Sequence, residues 1–509
     1  MKNKTLRAPR VVIVGAGMTG LLLFIKLREA GIQDVIILEK KDRLGGTWRD
    51  NTYPGVACDV PAHMYTYSFE PNPEWSKRFA EGSEIYAYFE KVGRKYGVID
   101  HINFNEEVTE AKYQKGKWKI RTSQNRTLES DFLISATGIL RKVNKPHING
   151  LEAFKGDVFH TAEWRHDVDL KNKRVGVIGT GSSATQVTTT LANQGVNLHV
   201  FQRTPQWIMS FPNKEVSEKE KEACRENILL PVFYHKFQSF LIEQMGSKAV
   251  IGNKVQHTLL SMVCKFNLRK NIKDKALREK LTPDYQVGCK RLILSDGYYN
   301  AMQLKNVSLV TDGIDQLNEA GIVTKDGRQH NLDVIVMATG FDPFAYMRPM
   351  NLIGKNGIHI NESWQKKIQA YRSLNLPDFP NFFLMLGPNS PIGNFSVIAI
   401  SEAQTAYVVK VIQSWQQRQF DEIAAKPAAV ERFNNYVRAG MGKTVWVTGC
   451  NSWYLDGDGD PAMWPYTWKQ WLKEMAKPDL NDFNTVLFND DVKSSQKSKA
   501  EILSEPQLS

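Results

Sequence analysis

The sequence predicts an α/β protein with two Rossmann-like dinucleotide-binding domains and a helical insertion, on three observations. VVIVGAGMTG (Val11 to Gly20) and VGVIGTGSSA (Val175 to Ala184) form a weak internal duplication, each a β-rich run, a glycine turn and a helical pattern. Each is followed later by an apolar run closing on ATG, FLISATG at Gly138 and VIVMATG at Gly340. Between roughly Glu215 and Tyr285 lies a Lys/Glu-rich segment with apolar residues at helical spacing, including LLPVFYHKFQSFLIEQM. Strands alternating with helical patterns call for parallel sheets with crossover helices.

Composition sets the outer bounds. The 509 residues, 42% hydrophobic and 24% charged, suit a soluble globular chain of more than one domain. The formal net charge of +12 is spread among acids rather than massed in one run, which points to a phosphate-rich cofactor and away from nucleic acid. The five cysteines are an odd number with no CxxC pair, so reduced thiols in a cytoplasmic chain are expected, and no metal. No stretch reaches the ~18 apolar residues of a spanning helix, and the basic MKNKTLRAPR runs straight into a strand. A monomer is expected.

In the first fingerprint, Gly15, Gly17 and Gly20 follow an apolar strand and open a helix, and VIILEK ends a second strand at Glu39, about 20 residues on. The glycines let backbone approach a pyrophosphate facing the positive helix end, and Glu39 suits a ribose hydroxyl while repelling a 2′-phosphate. A flavin dinucleotide, FAD, is read there. In the second, Gly179, Gly181 and Ala184 are completed by a strand ending at Arg203 and Thr204, where a guanidinium suits a 2′-phosphate. NADP is read there, although Arg203 alone would also suit a surface strand end. The lysine-rich insertion fits either a membrane surface or the neighbouring domain, and packing onto that domain is the expectation. The expected limits are 1–150 and 336–490 for the FAD-binding domain, 151–214 and 286–335 for the NADP-binding domain, and 215–285 for the insertion. Residues 491–509, polar and poor in aromatics, are expected to form a disordered tail.

The stretch FKGDVFHTAEWRHD, Phe154 to Asp167, fits neither helix nor strand period and reads as a connector between the domains. It resembles the FxGxxxHxxxW fingerprint of the type I Baeyer-Villiger monooxygenases, class B flavoprotein monooxygenases, in Phe154, Gly156, His160 and Trp164. Arg165 stands where that family has proline or aspartate. GGTWRDNTYPGVACDVPAHMYTYSF (Gly45 to Phe69) is similar in Gly45, Gly46, Trp48, Tyr53, Pro54, Gly55 and Asp59, and FQRTP, CKRLILSDGYY, ATGFDP, NFFLMLGPNSP and SWY extend the likeness to about Trp471.

The resemblance implies an NADPH- and O2-dependent enzyme converting ketones to esters or lactones through a flavin C4a-peroxide. Arg291 would stabilise charge on the reacting oxygens, and Asp59 would position it beside the flavin; read alone, Asp59 would also suit a turn after Pro54-Gly55. Gly46, Thr47, Trp48, Tyr65 and Val108 would line FAD. Thr180, Ser182, Ser183, Gln186, Thr204 and Lys290 would line NADP, Lys290 joining Arg203 on the 2′-phosphate, and Trp453 would approach the nicotinamide from a C-terminal loop. His160 is read as a hinge-adjacent hydrogen-bonding residue rather than a general base. Cys224, Cys264 and Cys450 are expected to be buried free thiols. The family's S- and N-oxygenating relatives usually carry a tyrosine-type residue at the Trp164 position, so Trp164 favours ketones; GCKRLILSDGYY is closer to the branch acting on aryl, linear and bulky ketones. The alternatives are a sulfide- or amine-oxygenating flavin monooxygenase, a non-catalytic FAD/NADP-binding redox sensor, and a flavin disulfide reductase, which would need two close cysteines.

Overall fold

In the computed structural model, which describes residues 6–450, 452–460 and 462–488, two five-stranded parallel sheets organise the chain. The first runs in the order Phe382–Leu384, Phe132–Ser135, Arg10–Val14, Asp34–Leu38, Ile102–Asn103. Its central strand pairs Val11 with Val35 on one side and with Phe132 on the other. The apolar runs that defined these strands are continuous because both faces are covered: Val11, Val12 and Ile13 are fully buried. The second sheet runs Val307–Val310, Asn197–Phe201, Arg174–Ile178, Val334–Met337, Asp157–His160. Both duplicated segments thus form the middle strand of their own sheet. The α/β class with paired dinucleotide-binding folds is as the sequence predicts.

Three details differ from the sequence reading. The connector Phe154 to Asp167 is partly sheet: Asp157–His160 pairs in parallel with Val334–Met337, and four residues are too few to display a period. That partner strand straddles the expected 335/336 limit, so the second sheet continues to Met337. Cys450 is not a free thiol: it is joined to Cys289 by a disulfide, Cα to Cα 6.2 Å, across 161 residues of sequence. Linear spacing cannot show a pairing made when the segment before Lys290 meets the C-terminal loop. Cys58, Cys224 and Cys264 are free and buried. The expected tail at 491–509 lies outside the described residues.

The insertion contains the helices Glu218–Glu226, Leu229–Ile242 and Lys254–Asn271. Packing onto the neighbouring domain holds for one face only. Cys264, Asn267 and Leu268 turn inward with Trp207 and Tyr298, whereas Leu229, Phe233, Phe237, Val255, Leu259 and Phe266 are exposed.

Candidate active site

The two glycine turns open onto one continuous cavity of about 2270 Å³ at the carboxyl ends of the two sheets. In open parallel sheets the strand ends and helix N-termini converge there, so phosphate-seeking backbone collects on one side. Both ATG segments, Ala136 to Gly138 and Ala338 to Gly340, line it. So does every residue named above for cofactor binding or catalysis except Gly20 and Ala184, which stand behind the wall. Their role is close packing. Gly15 turns at φ +105°, and a Cβ on Gly20 would stand 2.0 Å from the Gly15 carbonyl oxygen.

The helices Met18–Glu29 and Ser182–Asn193 begin after Gly17 and Gly181 with no side-chain cap, leaving their first N–H groups for an anion. Glu39, 5% exposed, ends the second strand; its carboxylate accepts from Ala16 N (2.8 Å) and Lys41 N (3.0 Å) and pairs with Arg49 at 3.0 Å. These contacts fix an acceptor at the position where a ribose hydroxyl would arrive. At the second fingerprint, Thr180 Oγ1 donates to the Thr204 carbonyl (2.7 Å), holding the turn beside Arg203. Lys290 lies with its Nζ 4.9 Å from the Tyr285 ring centre. Burial, then the Arg203 guanidinium, pulls its pKa below the usual lysine value. Neither cation is ion-paired with a carboxylate among the described residues. Two like charges held together at a cavity wall suit a phosphate dianion.

Between the fingerprints, Asp59 and Arg291 meet across 232 residues. Arg291 Nε donates to Asp59 Oδ2 (2.9 Å) and Nη2 to Oδ1 (2.6 Å), a bidentate pair. The Asp59 carboxylate raises the guanidinium pKa further, outweighing burial, so Arg291 stays charged. About a third of the Arg291 side chain is exposed, and it lines the cavity, so the pair presents remaining N–H donors there. On the flavin-fingerprint side, Trp48 Nε1 donates to Tyr65 Oη (3.1 Å), the two rings edge to face. Tyr53 Oη donates to Gln186 Oε1 (2.8 Å) and Gln186 Nε2 to the Ala57 carbonyl (2.9 Å), tying the TYPG loop to the second fingerprint helix.

Sequence reasoning missed Tyr454. Its ring packs 4.7 Å from Trp453, and its buried phenol, pushed up by burial, is drawn the other way by the positive charge of Arg291. The SWY segment carried the signal, read only as far as its tryptophan. Also missed was the insertion's share of the wall: Leu241, Met245 and Val263 line the cavity. His160 is 1% exposed, lies outside the cavity lining, and accepts from Ala162 N through Nδ1 (3.1 Å). Burial lowers its pKa, and its ring rests on Phe341 from the segment after the second ATG. Trp164 stacks edge to face on Phe159 at 5.0 Å. Arg165 points to the surface, stapled to Asp157 (2.6 Å) and Asp167 (2.5 Å). The departure from the fingerprint is therefore spent on local ion pairs.

Two Rossmann-type sheets sharing one cavity, with a fixed arginine between their fingerprints, define a protein of the paired-dinucleotide-binding class. The chain belongs to the flavin-binding monooxygenase-like family, which it matches over residues 8–432. It is 37% identical to a Baeyer-Villiger monooxygenase of Streptomyces coelicolor over 489 residues, covering 94% of this chain and 92% of that one. It is 45% identical to an uncharacterized monooxygenase of Mycobacterium tuberculosis over 460 residues, covering 90% and 92%. Among solved structures it resembles OTEMO in complex with FAD and NADP, with a TM-score of 0.85 at 26% identity, covering 94% of this chain and all of that one. It also resembles oxidized steroid monooxygenase bound to NADP, with a TM-score of 0.82 at 28% identity, covering 95% of this chain and 100% of that one.

Proposed function

We propose that this chain is an FAD-dependent Baeyer-Villiger monooxygenase that uses NADPH and O2 to insert oxygen beside a ketone carbonyl, giving an ester or lactone. The observation that carries the reading is the bidentate Asp59–Arg291 pair in the wall shared by both fingerprints. The first turn, with an uncapped helix and Glu39, fits FAD; the second, with Arg203 and Lys290, fits NADPH. When bound, the flavin supplies oxygen activation and the nicotinamide supplies hydride.

The chain's own residues do the rest. Arg291 holds its positive charge at any working pH and donates hydrogen bonds to oxygen atoms that gain negative charge as the ketone carbon is attacked. Asp59 locks the guanidinium rotamer so that this stabilisation needs no reorganisation. Trp453 and the buried Tyr454 help to wall the reacting region from water, and the apolar insertion residues Leu241, Met245 and Val263 line the way in. Sulfide or amine oxygenation passes an electrophilic oxygen to a heteroatom lone pair and forms no tetrahedral oxyanion at a carbonyl carbon, so Arg291 would matter less there. The disulfide-reductase reading loses support because Cys289 and Cys450, though joined, are outside the cavity lining.

The test is incubation of purified chain with NADPH, 18O2 and a panel of ketones and sulfides, followed by mass spectrometry. Label in an ester supports the reading, and label only in a sulfoxide overturns it.

A further inference from the structure

Twelve exposed large apolar residues fall between Ile228 and Phe266. On Leu229–Ile242 they are Leu229, Phe233, Phe237, Phe240 and Leu241, at spacings of four, four, three and one, so they form one stripe along the helix. Phe233 and Phe237 stack at 5.7 Å in the open. On Lys254–Asn271 they are Val255, Leu259, Met262, Val263 and Phe266, again one stripe. A soluble chain rarely leaves so many rings and branched side chains together in water without a use.

Charge says what covers them. Residues 227–273 hold seven basic residues, Lys236, Lys248, Lys254, Lys265, Arg269, Lys270 and Lys273, against the single acid Glu243, which is half of the chain's formal +12. Six of the seven, all but Lys248, are exposed, and none of those six is ion-paired among the described residues. Elsewhere the surface lysines and arginines commonly find acids, as Lys77 does with Glu81 and Arg225 with Glu74. Two copies of this face brought together would set these unpaired cations against each other, which disfavours a homodimer. An anionic bilayer offers both an apolar phase for the stripes and negative charge for the rim. No helix among the described residues is long and apolar enough to cross a membrane, so the contact is peripheral.

The face is also continuous with the cavity. Leu241, Met245 and Val263 are each exposed on the outside and part of the cavity lining, as is Phe211. We propose that the outer face of the helical insertion seats on an anionic bilayer surface and presents the cavity mouth to lipid-dissolved substrate. This goes beyond the proposed reaction: the docking stands on the exposed face alone, and only the nature of the entering molecule rests on ketone oxygenation.

The test is flotation of the full-length, flavin-loaded chain with vesicles of phosphatidylcholine containing one quarter phosphatidylglycerol, beside vesicles of phosphatidylcholine alone, at low and at molar salt. The expected result is flotation with the anionic vesicles, weakened by molar salt and by removal of phosphatidylglycerol. A triple variant, Phe233→Ser, Phe237→Ser and Phe266→Ser, which leaves the cavity lining untouched, lowers the bound fraction about tenfold. Its melting temperature and its NADPH turnover with a water-soluble ketone stay at the parent values. The proposal is overturned if the parent chain fails to float, or if the triple variant floats as well as the parent. It is equally overturned if sedimentation shows a concentration-dependent dimer that the same variant abolishes, since the face would then belong to a second copy.

Discussion

Replacing Asp59 with asparagine keeps the shape of the side chain and removes its charge. In the structure the carboxylate accepts from both Nε and Nη2 of Arg291; asparagine offers one acceptor oxygen and turns an amide toward the other donor. Two charge-assisted hydrogen bonds of about 1.5–3 kcal/mol each become at best one of the lower neutral-acceptor kind, a loss of about 2–4 kcal/mol. Because about a third of the Arg291 side chain is exposed, solvent screening discounts this to about 1–2 kcal/mol. If that energy holds the guanidinium where the substrate oxygen gains charge, ester formation falls about 5- to 30-fold. NADPH oxidation falls less, so the ratio of ester formed to NADPH consumed drops. The assay is paired product quantification and NADPH consumption under one set of conditions, with thermal melting as the folding control. Arg291→Ala, which deletes the donors, should cost about a thousandfold or more in ester formation. If Asp59→Asn retained the parent ester yield per NADPH, Asp59 would not be positioning Arg291, and the pair would be merely structural.

Other expectations follow from the same geometry. Arg203→Ala and Lys290→Ala should each raise KM for NADPH about tenfold or more with little change in kcat, and narrow the preference over NADH; unchanged steady-state constants would remove the 2′-phosphate assignment. Gly20→Ala sets a Cβ 2.0 Å from the Gly15 carbonyl oxygen, so the variant should purify without flavin colour, and a normal flavin content would contradict the close-packing role. His63 is buried, and burial, then Arg78, lowers its pKa from 6.5 to about 4. Below 6.5 the unfolded chain binds a proton that the folded chain refuses, so stability is full above 6.5, declines as pH falls, and levels off below about 4. That is worth about 3 kcal/mol at most, and melting of His63→Gln across this range should show a shallower acid decline than the parent. His63 also accepts a hydrogen bond on its carbonyl from His235 Nδ1 (3.0 Å), so the acid transition should loosen the insertion helix Leu229–Ile242.

What was legible in the sequence was local. A glycine turn between a buried strand and a helix is written in about twenty consecutive residues, so both fingerprints, both ATG ends and the Glu39 and Arg203 contrast were readable from the chain. Contacts between distant segments were not. Asp59 and Arg291 are 232 residues apart and were paired only through family resemblance; Cys289 and Cys450, 161 apart, were not paired at all. The Asp157–His160 strand was hidden by its shortness. The insertion was read as amphipathic, but helical spacing says only that one face is apolar, and which way that face turns is decided by inward residues such as Cys264 and Leu268. Tyr454 was within reach of motif reading, yet its approach to Arg291 depends on a loop that periodicity does not describe.

The role proposed for Arg291, fixed by Asp59, is to serve oxygen insertion beside a ketone carbonyl. The most direct measurement is turnover of one ketone under 18O2 with NADPH by the parent chain and by Arg291→Ala, with the ester analysed by mass spectrometry. One 18O is expected in the ring or chain oxygen of the parent's ester, with loss of that product in the variant while it still binds flavin and NADPH. Labelled ester formed at the parent rate by Arg291→Ala would contradict it.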